Sequence, residues 1–167
     1  MAETAIETKF PVFGKNSQKT SYSNPGNPFV YTLQFETAFD LDQAADTLST
    51  DNLKIPGTGY FVIEGMTAKV SEAFAFTTAV PTIGLVEAGG TPSTSAIAVH
   101  TFATTQAVGD CATGTYSAAL TPASPKLKIK AGTAYELGIV VRPTGGIVTG
   151  QIKELHLLLR PVSSFAA

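Results

Sequence analysis

Tryptophan is absent from this chain, cysteine occurs once and histidine twice. A single cysteine, Cys111, cannot close an intrachain disulfide, so no oxidising compartment is implied. The two histidines, His100 and His156, are far apart and form no HxH, HExxH or HxxxH spacing, so no metal motif is present. No run of about 18 apolar residues occurs, and nothing reads as a membrane span. The opening "MAETAIETKFPVFGKNS" has early acidic residues and no long apolar core, unlike a signal peptide. GxSxG, GxGxxG after a strand and GxxxxGK[ST] are all missing. Charge is scarce too. Asp, Glu, Lys and Arg make up 14% of the chain, with a net charge of -2, against about 25% in typical domains. A nucleic-acid surface would need more cationic charge with stacking aromatics beside it, so no nucleic-acid partner is expected.

What fills the gap is Ala, Thr, Gly and Ser, arranged in short strand-like runs. The 167 residues suit one domain with a core that needs neither disulfide nor metal. In "FVYTLQFE", Phe29, Tyr31, Leu33 and Phe35 alternate with Val30, Thr32, Gln34 and Glu36. "GYFVIEGMTAKVSEAFAF" is rich in β-branched and aromatic residues. Unbroken alternation there sets Ile63, Gly65, Thr67 and Lys69 opposite Val62, Glu64, Met66 and Ala68. "PTIGLVEAG", "SAIAVHTFAT", "GTYSAALT", "KLKIK" and "TAYELGIVVRP" continue the pattern, with Tyr135, Leu137, Ile139 and Val141 on one face. "DLDQAADTL", Asp40 to Leu48, is the best helical candidate. Turn residues separate the runs, and no long helix competes. The expected fold is all-β: an antiparallel β-sandwich, jelly-roll-like, of about eight strands over residues 29–167.

Residues 1–28 read differently. "GKNSQKTSYSNPGNPF" is polar, with Pro25 and Pro28 flanking Gly26, and resists helix. This is expected to be an extended arm that meets a partner, with Phe10, Val12, Phe13 and Tyr22 as contact residues. Lys126, Lys128 and Lys130 alternate in "KLKIK" and read as one face of a lysine-protected edge strand.

The last run, "GQIKELHLLLRPV", follows the turn chemistry of Pro143-Thr144-Gly145-Gly146. It reads as a closing strand, with Leu155, Leu157 and Leu159 inward. Glu154, His156 and Arg160 then share the opposite face with Leu158. An acid, an imidazole and a guanidinium at alternate positions could suggest catalysis, yet any outward strand face gives that spacing. No Ser or Cys motif accompanies His156. The face is read as solvated or contacting a neighbouring subunit, and no catalytic residue is assigned. Asp40, Asp42, Asp46 and Asp51 have some calcium-loop spacing, but Ala45 replaces the turn glycine and Asp51 the final Glu. They are read as caps of a short helical turn. Cys111, in the Gly-flanked "VGDCATG", is placed in a turn and has no motif of a reactive thiol. No cofactor or metal is expected.

Several stretches together resemble tailed-phage capsid decoration, or cement, proteins of the β-sandwich kind. They are "YTLQFET", "FDLDQAADT", "LKIPGTGYFVIEGMTAKVSEAF", "TIGLVEAG", "AGTAYELGIVVRP" and the closing "GQIKELHLLLRPV". The resemblance spans about residues 29–162 and implies a non-enzymatic virion protein. It would be made in the host cytoplasm and bound to the capsid exterior. It would meet the major capsid protein as a homotrimer, with no membrane or nucleic-acid partner. The alternative is a carbohydrate- or receptor-binding jelly-roll module. The lack of Trp and of an aromatic platform weighs against that.

Overall fold

A computed structural model describes residues 28–56, 58–77, 81–117, 128–142 and 149–162. The strands are β1 (Phe29–Asp40), β2 (Leu48–Leu53), β3 (Tyr60–Ala75), β4 (Thr82–Glu87), β5 (Ile97–Thr101), β6 (Thr105–Gln106), β7 (Cys111–Tyr116), β8 (Lys128–Lys130), β9 (Tyr135–Val141) and β10 (Thr149–Val162), with a four-residue helix α1 (Pro92–Ser95) between β4 and β5. All strand pairs are antiparallel. The sheet path runs β1-β10-β3-β7 and then β5-β4-β9-β2, with the short β6 and β8 added against β3.

That order has a simple origin. β4 pairs with β5, β3 with β7, β2 with β9 and β1 with β10. The pairs are nested, as in one long hairpin folded at the β4–β5 connection and rolled up. This is the jelly-roll arrangement of two four-stranded layers. Seven of the expected strand runs are on this path; "KLKIK" is instead the three-residue β8 added against β3, and β2 (Leu48–Leu53) is a strand that the sequence reading did not include.

Alternation places the core. Tyr31, Leu33, Phe35, Leu155, Leu157, Leu159, Ile83, Leu85, Leu137 and Ile139 lie between the layers, all nearly or fully buried. Aromatic pairs fill the ends: Phe29 meets Phe61 edge-on with ring centroids 5.7 Å apart, and Phe35 stacks on Phe39 at 5.9 Å.

Three sequence expectations are corrected. Alternation in β3 does not hold throughout: Ile63 and Met66 both face the core, because pairing with β10 slips where Leu158 opposes Gly65 and Leu159 opposes Ile63. Glu64 is the extra residue of a bulge. In β9, Val141 packs with the second cluster rather than with Tyr135, Leu137 and Ile139, since the register with β4 shifts between Thr82 and Ile83. Residues 40–48 form no helix. The Asp40 carboxylate accepts the Asp42 N–H at 2.9 Å and the Gln43 side-chain amide at 3.1 Å, and Asp46 takes a left-handed φ of 68°. Side chains that bond nearby backbone in this way favour turns over helix.

The two outer faces are treated differently. On the β2-β9-β4-β5 layer, Val86, Val99 and Val140 form a second buried cluster beneath Ala96. The β4–β5 connection lies over it. Pro92 sits where a Cβ on Gly138 would be, 2.3 Å from its Cγ, and Ala96 sits against Gly84 at 2.9 Å. Asp46 secures this strap by accepting the Ser93 N–H at 2.7 Å. Both faces of β4 are therefore covered, which explains its unbroken burial from Thr82 to Val86. No helix among the described residues is long and apolar enough to cross a membrane.

Candidate functional site

The β1-β10-β3-β7 layer has no such strap among the described residues. Strand register brings its outward side chains into rows. One row runs Thr32, His156, Thr67, Thr113; the next runs Gln34, Glu154, Lys69, Cys111; a third sets Val30 against Leu158 and Leu158 against Gly65. Glu154, His156 and Arg160 are thus together on one outer face, as their spacing predicts, and each is half-buried.

Polar groups here are largely satisfied within the face. Thr32 Oγ1 lies 3.0 Å from His156 Nδ1, and His156 Nε2 lies 3.4 Å from Glu154 Oε2. The ring therefore lies between a threonine hydroxyl on one edge and a carboxylate on the other. The Gln34 amide donates to Glu154 Oε1 at 3.4 Å. Arg160 Nε pairs with Glu64, the bulge residue. Charges paired side by side leave a face of low net charge.

The apolar contribution comes from Val30 and Leu158, direct cross-strand partners that are 40% and 37% exposed. The sequence held a signal for both, since each is an apolar residue on the polar side of its strand. Their adjacency depends on register and could not be read from either strand alone.

The other candidates go elsewhere. His100 is in β5, 2% exposed, and faces the core with Ala98 and Phe102. Its Nδ1–H donates to the Ala98 carbonyl at 2.7 Å, and its ring meets Tyr116 with centroids 5.7 Å apart. Burial lowers its pKa from 6.5, opposed in part by the Ala98 hydrogen bond. Cys111 is exposed and begins β7, so it is in a strand rather than the turn expected for it. It stands two strands from His156, roughly 10 Å at a strand spacing of about 4.8 Å, beyond the reach of a thiol–imidazole pair.

The aspartates of residues 40–51 serve separate structural roles. Asp40 closes its own turn, Asp42 lies 3.7 Å from Arg142, Asp46 holds Ser93, and Asp51 accepts the Glu36 N–H. Among the described residues no group of three or more His, Cys, Asp or Glu side chains is placed to hold a metal ion. Lys128 and Lys130 flank buried Ile129 in β8, and the Lys128 ammonium rests 4.6 Å above the Tyr60 ring. Lys126 and the arm residues Phe10, Val12, Phe13 and Tyr22 lie outside the described residues. Comparison with protein-family models, with curated proteins and with solved structures finds no match.

Proposed function

We propose that this chain is a non-enzymatic virion subunit, a decoration protein that stabilises a phage capsid by binding the major capsid protein as a homotrimer. The observation that carries the reading is the inequality of the two outer faces. One is roofed by the chain's own strap, with Pro92 and Ala96 set into glycine gaps. The other presents threonines, charges already paired to each other, and the exposed Val30–Leu158 pair. A face of low net charge with an apolar centre is cheap to desolvate against a protein surface. The resemblance of residues 29–162 to cement proteins supplies the class of partner, and the jelly-roll fold agrees with it.

Cosedimentation with capsid shells of the virus that encodes the chain tests this. Leu158→Glu is expected to weaken attachment at least tenfold while the protein stays folded, as a charge at the centre of an apolar contact costs about 1.4 kcal/mol or more. Attachment at wild-type strength would sink the assignment of this face. Glycan-array binding, with no attachment to shells, would move the reading to a carbohydrate-binding module.

A further inference from the structure

Between strands of the two layers the described residues form one ladder, the seam of β5 with β7. It is two pairs long, His100 opposite Tyr116 and Thr101 opposite Thr115, and the Ser117 N–H adds a bond of 2.8 Å to the Val99 carbonyl. β10 meets β3 through twelve pairs. The seam also carries strain. Ala98 has a left-handed φ of 50°, costly for a residue with a Cβ, where the pairing shifts from Ile83–His100 to Leu85–Ile97. The His100 ring is tied to this strained residue of its own strand, through the Ala98 carbonyl. Across the seam it abuts the Tyr116 ring, and His100 and Phe102 close over Gly114, each 2.9 Å from where a Cβ would lie. The Tyr116 hydroxyl is buried with no hydrogen-bond partner among the described residues. The described groups facing His100 are uncharged. They are Ile83, with Thr82 and Leu85 beside it, in β4; Gly114, Thr115 and Tyr116 in β7; and Ala98, Thr101 and Phe102 in β5. Tyr116 is the one titratable residue among them.

We infer that the seam is an acid-opened joint: when His100 takes up a proton, β5 and β7 part before the layers themselves unfold. A charged imidazole in this pocket has no opposite charge beside it, and burial without a partner is costly. Opening hydrates the ring, relieves the backbone at Ala98 and gives the Tyr116 hydroxyl water to bond. Only two pairs and one further bond resist the parting, whereas each layer is held within itself by longer ladders. The parted seam uncovers Phe102, which is 2% exposed when closed, and frees the edge of β7 at Thr115 and Ser117. Local openings of this kind are drawn from the least-connected parts of a fold. The joint is independent of what the opposite, β1-β10 side of the molecule binds.

Amide hydrogen exchange of the full chain tests this, at pH 7.5 and pH 5.5 and at several urea concentrations below the unfolding transition. Rates are corrected for the intrinsic pH dependence of exchange. The Thr101, Thr115 and Ser117 amides should exchange faster at pH 5.5, by up to about tenfold, because the opened imidazole titrates near its ordinary 6.5. Their exchange should depend little on urea, as a local opening exposes little surface, while amides of β1 and β10 show the steep dependence of global unfolding. His100→Phe should abolish the pH response at the seam, and His156→Ala should leave it unchanged. Seam amides that share the urea slope of β1 and β10 at both pH values would overturn the inference, since no separate joint would exist. Corrected seam rates equal at both pH values would overturn it too, as would a full pH response in His100→Phe. Should that variant fail to fold, the wild-type rates decide alone, because the pH and urea responses need no substitution.

Discussion

Leu157 and Leu158 are adjacent in β10, with 0% and 37% of their surface exposed. Leu157→Ala removes a core side chain and is expected to cost about 2–5 kcal/mol. Leu158→Ala is expected to stay within about 0.5 kcal/mol, as surface changes usually do. Urea denaturation of both variants checks this, and equal losses would mean that the face of β10 is misassigned. His100 gives a second residue-level expectation. In the folded chain burial holds the imidazole below its ordinary value, while the unfolded chain takes up its proton near 6.5. Below about pH 6.5 the unfolded state therefore binds more protons, and stability is lost as pH falls through that window. His100→Phe should flatten the slope of melting temperature between pH 6.5 and about pH 5, where carboxylates begin to contribute. An unchanged slope would assign the acid sensitivity to other groups. His156, on the outer face beside Thr32 and Glu154, has a different environment although it is the same residue type.

At the level of elements, the strap over the second layer depends on two gaps in strands beneath it. Gly138→Ala would drive a methyl group into Pro92 and is expected to cost about 1–3 kcal/mol. Faster hydrogen exchange at residues 93–96 should accompany the loss; unchanged exchange there would show that the strap does not rely on this seat. The strap was hard to foresee. "TPSTS" has no apolar period, and the glycines that receive it sit in strands that read as ordinary from sequence. Alternation made the faces of β1 and β10 legible, including the placing of Glu154, His156 and Arg160. It failed in β3 and β9 because a bulge inverts every side chain beyond it: in "IEGMT" the strand glycine Gly65 beside Glu64 is the only local sign of one, and nothing in "GIVVR" marks the second. The aspartates of residues 40–48 suggested helix capping, but their bonds close turns instead.

For the whole molecule, many short alternating runs separated by turn residues, with no long helix competing, were enough to indicate an antiparallel all-β fold of the sandwich kind. The pairing of layers was not available, because register and strand order arise from contacts between residues far apart in sequence. Asymmetry between the two outer faces is visible only once that order is known. The nesting of strand pairs has a consequence for biosynthesis. The first and last strands among the described residues, β1 and β10, are partners, with Phe29 opposite Leu159, and β10 also lines β3 along most of its length. While a ribosome is still making residues 149–162, β1 has no neighbour on that side and the central strand lacks one of its two flanks. The layer can close only once β10 has left the ribosome, so until then nascent chains must keep their exposed edges from pairing with one another.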